Sequence, residues 1–338
     1  RASAEQRTGR AGRTAPGICI RLWNEREHQN RPAEQQPEIE RLELSEVVLM
    51  LKASGVNDLR QFEWFEAPSE ISLNSAEKLL EDLGAIDENG IITVIGEKML
   101  KYPIHPRYSR MLIEAEKYGC NYHCALIAAL NQGNDILIRS TSNEIIKSRK
   151  SVFGKSLNSD FFLMIRAFEY AKNRGYDYSA CWSVGINANS ARMVDSVFNQ
   201  FINIAGGKSL NVEPENIDEE LIQKCILAGF SVRVARRINE ANLKCEIVHS
   251  GRGELARSSV VQNSSLIVAA EINEIGNHSG DVNVILSKAT AIKEEWLYEL
   301  YPTEIKKGVQ RYYFDQQMRR VMVEEETIFR GLCLNRVH

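Results

Sequence analysis

A change of pattern near residue 243 constrains the fold of this chain more than any other feature. Between Pro106 and Asn239 the sequence is dominated by helical patterns that single glycines interrupt. After residue 243 it changes to short runs of β-branched and aromatic residues, separated mostly by glycine, asparagine or serine. Helical and strand patterns bury different faces of the chain. The sequence therefore predicts a multidomain α+β fold in which a helical bundle precedes a small antiparallel barrel or sandwich.

The same patterns give the individual elements. Helices of the bundle are predicted at 107–118, 121–131, 160–173, 188–205, 218–228 and 231–241. Strands of the barrel are predicted in CEIVHS, SLIVAAEI, VNVILSKA, QRYYFD and RRVMVEE, with one helix at 292–300 between the third and the fourth. The glycine-rich segment from Gly251 to Ala256 is predicted to be a loop between barrel strands.

The region before the bundle has the element order of a winged helix. A first helix is predicted in PEIERLELSEVVLMLKASGV and a second at 75–83. A turn at Asn89-Gly90 and a strand follow. Further upstream, TAPGICIRLW at 14–23 predicts a short strand, and the polar residues 24–37 predict a linker.

The charge of the chain excludes some classes of function, and its distribution indicates where anions could bind. The chain has 338 residues, with 42 lysines and arginines against 45 acids and a net charge of −3. It therefore does not hold nucleic acid by bulk positive charge, and no apolar run approaches the roughly 18 residues of a membrane span. Two segments are basic, however: 1–31, with seven arginines against three acids, and 231–260, with six cations against three. They predict local anion sites, with a solvated surface as the alternative.

Cysteine usage favours a reducing compartment. The seven cysteines are odd in number and include no C-x-x-C pair, so we expect no disulfide framework, no metal site and a cytoplasmic location. Cys120, His123 and Cys124 share one helical face, but the apolar run after them predicts packing in a core.

A motif near the start carries the most chemical information: Gln6-Arg7-Thr8-Gly9-Arg10-Ala11-Gly12-Arg13. A spacing of three predicts arginines on one side of a short helix, and small residues allow a ligand close to the backbone. One guanidinium group can donate two parallel hydrogen bonds to two oxygens of a phosphate. The motif has two interpretations. It could form the far wall of a nucleoside-triphosphate site, where an arginine finger is needed, or it could be a basic arm that binds polyanions.

QRTGRAGR resembles motif VI of superfamily-2 helicases, and TAPGICIRLW after it resembles the DEAH-box branch. The downstream segments follow the order seen after the motor in that family, closely to about residue 135 and less closely through 136–225. HPR at 105–107 and HSGRGELA at 249–256 are most similar to bacterial HrpB-type members.

This resemblance implies four parts: the C-terminal end of a second RecA-like domain at 1–32, a winged helix at 33–103, a helical ratchet bundle at 104–241, and an OB-like barrel with the start of a C-terminal region at 242–338. It implies that Gln6, Arg10 and Arg13 face ATP phosphates, with Arg10 or Arg13 as the catalytic finger. Arg7 is expected to be structural.

The chain departs from a complete helicase in two motifs. It contains neither the phosphate loop G-x-x-x-x-G-K-[ST] nor a D-E-A-H sequence that would bind Mg²⁺. We therefore expect a chain severed from its N-terminal RecA-like domains and inactive alone, within a parent enzyme that uses ATP and Mg²⁺.

The expected partner is single-stranded RNA, with DNA as an alternative, and no membrane. Arg107, Arg110, Arg252 and Arg257 are the predicted RNA-facing residues. The alternative function is a non-enzymatic module that binds nucleic acid or protein. Tyr312, Tyr313 and Phe314 are predicted in a barrel strand, where one outward ring would make a base platform.

Overall fold

The computed structural model describes residues 1–33, 39, 43–138, 142–154, 157–204, 218–239, 241–276, 282–308, 310–315 and 319–337. Two compact units divide the chain, 1–78 and 79–338. The described helices are α1 Ala2–Ala11, α2 Glu25–Asn30, α3 Ser45–Ala53, α4 Glu70–Asp82, α5 Val94–Met99, α6 Pro106–Tyr118, α7 Asn121–Leu130, α8 Asn143–Phe153, α9 Asp160–Asn173, α10 Tyr178–Ser183, α11 Ala188–Ile204, α12 Glu219–Phe230 and α13 Glu294–Leu300. None of them has the length and apolar character needed to cross a bilayer.

The described strands are β1 Val234–Arg237, β2 Lys244–Ile247, β3 Gly251–Leu255, β4 Leu266–Gly276, β5 Val282–Ala291, β6 Ile305–Lys307, β7 Arg311–Asp315, β8 Arg320–Phe329 and β9 Leu332–Val337. The mixed α+β class predicted from the sequence is therefore correct.

Two predictions for the N-terminal unit are wrong. Residues 14–23 form no strand, and Ile18, Ile20 and Leu22 are exposed. An alternating pattern becomes a strand only beside another strand, and among the described residues none pairs with this segment. The predicted linker 24–37 contains α2, because the Asn24 side chain accepts a hydrogen bond from the amide of Glu27 at 2.8 Å and caps the helix. Residues 34–37 lie outside the described ranges.

The winged-helix region keeps the predicted order with a shorter hairpin. Helix α3 lies within the first predicted segment, and α4 corresponds to the second predicted helix but begins five residues earlier, at Glu70 instead of 75. The predicted strand after the Asn89-Gly90 turn is reduced to one bridge between Ile86 and Ile92. Thr93 then caps α5 by accepting the amide of Gly96, so the residues that follow are helical.

The bundle is close to the prediction. Five predicted helices appear as α6, α7, α9, α11 and α12, with ends shifted by at most two residues. Helices α8 and α10 were missed. In α8 only Phe153 is buried and α10 has six residues, so neither carries a clear apolar period.

The predicted helix at 231–241 is wrong. Residues 231–233 make a single 3₁₀ turn and residues 234–237 form β1. Val234 and Ala235 are fully buried, and β1 pairs with both β2 and β4. Two strand neighbours supply the backbone hydrogen bonds that a helix would otherwise have made. The barrel thus begins inside the range predicted for the bundle.

Five strands close into a barrel in the order β1-β2-β3-β5-β4, with β4 returning to β1. The pairs are antiparallel except β3 with β5, which is parallel. The segment predicted as a loop from Gly251 is β3 itself. Inward side chains such as Leu255, Ile267 and Leu286 are fully buried. They belong to the same apolar core as the bundle helices, so the two are packed together.

The last strands form a second sheet, which corrects the prediction that QRYYFD and RRVMVEE belong to the barrel. Strand β8 pairs with β7 through its first half and with β6 and β9 through its second half. Because the barrel closes after five strands, it offers no edge to later strands. Phe329, Leu332 and Leu334 anchor this sheet by being buried in the common core.

Candidate nucleic-acid interface

The N-terminal arginines are exposed at the end of a short helix. Gln6 and Arg10 lie one turn apart on α1, and both face solvent. Helix α1 ends at Ala11, so Arg13 lies beyond it and is also exposed. The expectation that one helical side carries three arginines is therefore correct for Arg7 and Arg10 and wrong for Arg13. Gly12 ends the helix because glycine weakens helical backbone.

Helix α1 is held by the other end of the same segment. The amide of Ala2 donates to the carbonyl oxygen of Ala33 at 3.0 Å. The Arg31 guanidinium lies over the Trp23 ring, 4.2 Å from its centroid. Arg21 and His28 are 3.1 Å apart, and desolvation and this cation lower the His28 pKa. The α1 arginines take no part in these contacts, and both are exposed.

Two predicted RNA-facing arginines lie on α6, which His105 caps by accepting the amide of Arg107 at 3.2 Å. Arg107 is half-buried. A Cβ at Gly229 of α12 would lie 2.4 Å from the Arg107 carbonyl oxygen, so only glycine permits this close helix approach. Arg110 donates to Glu114 at 2.8 Å, and its side chain is 14% exposed. The Arg110 guanidinium is thus held by an ion pair within α6, and two guanidinium nitrogens of Arg107, Nε and Nη1, are buried.

Three arginines of the basic segment 231–260 bind backbone carbonyls instead of solvent. Arg233 donates to Ala270, and the 8%-exposed Arg237 donates to Gln262 and Asn242. Arg236 donates to the carbonyl oxygens of Cys333 and Leu334 at 2.8 and 2.9 Å. The first two hold barrel loops and strands, and the third joins β1 to the second sheet. Half of the positive charge in this segment therefore has a structural use.

The other two predicted RNA-facing arginines are on the barrel surface. Arg252 is an exposed residue of β3, opposite Glu246 of β2. Arg257 follows β3 and is exposed, and its carbonyl oxygen accepts from Gln262 at 2.7 Å. Lys244, also exposed, begins β2. These cations are on the outer side of the barrel, where a polyanion has access.

A buried polar cluster that the sequence did not reveal fixes the bundle to the barrel. The Asp160 carboxylate, in the first turn of α9, accepts from the amides of Val260 and Ala289 and from the Ser259 hydroxyl, at 2.7–3.0 Å. Burial raises the Asp160 pKa, against the effect of these donors. Next to it, the hydroxyls of Ser159 and Thr290 are 2.7 Å apart. The sequence around Asp160 does not predict these partners, because they lie about a hundred residues or more further along the chain.

A second such link uses Lys288 of β5. Its ammonium contacts Glu271 at 2.5 Å, Asn131 at 2.6 Å and Asp135 at 3.5 Å. Asn131 and Asp135 follow α7, so Lys288 connects the barrel wall to the bundle.

The cysteines of the predicted core are indeed buried. Cys120, Cys124 and Cys225 are fully buried where α7 meets α12. Contact with the Cys225 thiol and burial raise the pKa of Cys120. Contact with Cys120 lowers the pKa of Cys225, but contact with Cys124 and burial outweigh it, so this pKa is raised as well. Within the described ranges, no group of three or more His, Cys, Asp or Glu side chains is arranged to hold a metal ion.

Comparisons with known proteins match this architecture. A family model described as helicase associated domain (HA2), winged-helix, covers residues 76–104, and one described as helicase associated domain (HA2), ratchet-like, covers residues 105–173. The chain resembles the C-terminal part of a DEAH-box RNA helicase. The resemblance inferred from the arginine motif is thereby confirmed.

One curated relative aligns along most of the chain. It is the pre-mRNA-splicing factor ATP-dependent RNA helicase prp22 of Schizosaccharomyces pombe, 28% identical over 308 residues. The alignment covers 90% of this chain and 26% of prp22. This chain therefore spans about a quarter of the length of that relative.

A solved structure shares the fold. The crystal structure of the E. coli DExH-box NTPase HrpB matches with a TM-score of 0.63 and 20% identity. The match covers 99% of this chain and 35% of HrpB. At this identity the likeness establishes the fold only.

Proposed function

We propose that this chain is the part of an ATP-dependent RNA helicase that follows the catalytic phosphate-loop domain and guides single-stranded RNA. The observation that carries the proposal is the order of parts: winged-helix and ratchet regions over 76–173, followed by a closed five-stranded barrel. Five barrel strands are also the number in an OB-fold, a common binder of oligonucleotides. A free-standing interaction module is not favoured, because the relatives are helicases.

The proposed domain limits keep the four predicted parts with one change. Residues 1–32 would be the end of a RecA-like domain, 33–103 the winged helix and 104–233 the ratchet bundle. The OB-like barrel would begin at Val234, the first residue of β1, instead of at 242. ATP and Mg²⁺ would act in the complete protein. The HrpB-type assignment and the cytoplasmic location stay predictions.

In this proposal the RNA path is lined by exposed cations. Arg252 and Arg257 have the best support, because both guanidinium groups reach solvent on the barrel surface. Arg107 and Arg110 have less support, since the Arg107 guanidinium is partly buried and Arg110 is paired with Glu114. Contacts of this kind go to phosphates and sugars and carry little sequence preference.

ATP chemistry would use the arginines at the start of the chain. Gln6, Arg10 and Arg13 are exposed and would face the phosphates, which the neighbouring motor domain binds. A guanidinium that stabilises charge on the transferred phosphoryl group raises the rate by about 10³–10⁵. Arg7 would be a structural neighbour, and it serves as the matched control.

The test is RNA-stimulated ATP hydrolysis by the complete protein. Arg10→Ala and Arg13→Ala are measured separately beside Arg7→Ala. We expect one of the first two to lower kcat by about 10³, with a small change in KM, because the finger acts in the transition state. Arg7→Ala should stay within about threefold. Equal kcat for all three variants, or no turnover by the complete protein, would contradict the proposal.

A further inference from the structure

The strongest unexplained surface lies on the second sheet. Strand β7 and the first half of β8, residues 320–324, form a two-stranded ribbon. Tyr312 lies opposite Val323, and Phe314 lies opposite Val321, so these four side chains share one face. Their exposed fractions are 68% and 38% for the first pair, and 59% and 65% for the second. This aromatic face, defined by the four residues, is almost wholly apolar.

The ribbon is anchored at one end, and towards the other end the described side chains of its aromatic face are exposed. The second half of β8 leads to the buried Phe329, and β9 returns with the buried Leu332 and Leu334. Within the described residues, β6 and β9 pair only with the part of β8 from Glu325 onward. On the opposite face Tyr313 is 40% exposed and Met322 is half-buried. All four side chains of the aromatic face are exposed, so the larger exposed apolar area lies on that side.

Such a face is unusual for a ribbon that pairs with no third strand among the described residues. A two-stranded ribbon alone is marginally stable in water. Contiguous exposed apolar surface on a soluble domain commonly marks a binding site. The Tyr312 hydroxyl contacts the Gln310 side chain at 3.0 Å, which orients the ring and leaves its surface open. A ligand with flat apolar groups could cover this face by stacking on the exposed rings.

The net charge of the second sheet indicates which class of ligand the aromatic face would bind. Residues 305–337 contain seven lysines and arginines against four acids, a net charge of +3 in a chain whose total is −3. Three of these cations form ion pairs: Lys307 with Glu325 at 2.9 Å, Arg336 with Glu326 at 3.1 Å, and Arg330 with Glu304 just before the range. With Glu304 included, seven cations against five acids leave a net charge of +2. The sheet thus complements a polyanion better than an acidic or neutral surface would.

We propose that the aromatic face binds single-stranded RNA by stacking bases on Tyr312 and Phe314. Residues two apart in a strand are separated by about 7 Å and point to the same side, so two bases can be held in sequence. A basic surface with adjacent aromatic rings is the combination that single-strand binders use. The inference rests on the proposed function, because it adds a base-stacking site to the phosphate contacts on the barrel.

The experiment separates stacking from charge. The chain is titrated with a fluorescent twelve-nucleotide oligouridine and with an abasic ribose-phosphate strand of equal length and charge. Wild type is compared with Tyr312→Ala/Phe314→Ala. The matched control is Tyr178→Ala/Trp182→Ala, which removes an exposed stacked pair on α10 with ring centroids 6.1 Å apart.

We expect the ribbon variant to lose about tenfold or more in affinity for oligouridine and nothing for the abasic strand, because each stacked base contributes measurably. The α10 control should bind both strands as wild type does. Thermal melting should be unchanged, since the replaced side chains are exposed.

Three results would overturn the inference. Wild-type affinity of the ribbon variant for oligouridine would show that the face serves another partner, such as a protein strand, and would leave the proposed function intact. An equal loss for both strands would show that stacking is not the cause. Absence of any RNA binding by the wild-type chain would count against the proposed function as well.

Discussion

Two sets of arginines on one barrel differ in what their guanidinium groups contact. On β1, Arg236 and Arg237 each donate to two backbone carbonyls, some of them nearly a hundred residues away. On and after β3, Arg252 and Arg257 extend into solvent. Both sets come from one basic segment with the same local composition. The neighbouring carbonyls, and not the charge of the segment, therefore decide which arginines remain available to a ligand.

The largest expected effect comes from removing one guanidinium group from each set of barrel arginines and measuring the free energy of unfolding. Arg237→Met leaves two carbonyl oxygens at the barrel without their charged donor. We expect the free energy of unfolding to fall by about 3 kcal/mol, since hydrogen bonds to charged groups contribute about 1.5–3 kcal/mol each. Urea unfolding measures it.

Arg252→Met is the control for that change. The side chain is exposed, so its loss should alter the free energy of unfolding by less than about 0.5 kcal/mol. A similar destabilisation by the two substitutions would break the division of arginines into structural and solvent-facing sets.

A smaller effect is expected at an ion pair on the surface. Lys224 of α12 and Glu299 of α13 are 2.5 Å apart, and the hydrogen bond from Lys224 lowers the pKa of Glu299. A lowered folded-state pKa stabilises the protein above the unfolded value of about 4.3, and the effect is lost as pH falls below it. Glu299→Gln should therefore cost about 0.5 kcal/mol at pH 7 and almost nothing at pH 3.

Urea unfolding at both pH values checks this prediction, with Glu295→Gln on the same helix as the matched control. A cost for Glu299→Gln that does not diminish at pH 3 would mean that packing, and not the ion pair, accounts for it.

The sequence predicts the bundle better than the sheets for a physical reason. A helix satisfies its hydrogen bonds locally, so the pattern of α9 gives its limits directly. A strand needs neighbours that the local sequence does not contain. Residues 14–23 have the pattern of a strand and form none, whereas 234–237 were predicted helical and form β1 because two strands meet there.

The features of the candidate site also differ in whether a local sequence pattern predicts them. The arginine motif near the start is a local pattern, and its resemblance to a helicase motif led to the family. The distinction between Arg236 and Arg252 was not predictable, because the Cys333 carbonyl that accepts from Arg236 is 97 residues away. The same holds for the exposure of Tyr312 and Phe314, which depends on the second sheet lying outside the barrel.

The central claim, that solvent-facing barrel arginines guide RNA, is tested most directly by the salt dependence of RNA binding to this chain. Kd for a single-stranded RNA is measured across a salt series for wild type and Arg252→Glu/Arg257→Glu. Lys147→Glu/Lys150→Glu on the exposed side of α8 makes the same charge change as a control.

Each phosphate contact contributes about 0.7 to the slope of log K against log salt for single strands. We therefore predict that the slope of the barrel variant becomes shallower by about 1.4, with a matching loss of affinity at low salt. The α8 control should keep the wild-type slope. A barrel variant with the wild-type slope and affinity would contradict the account.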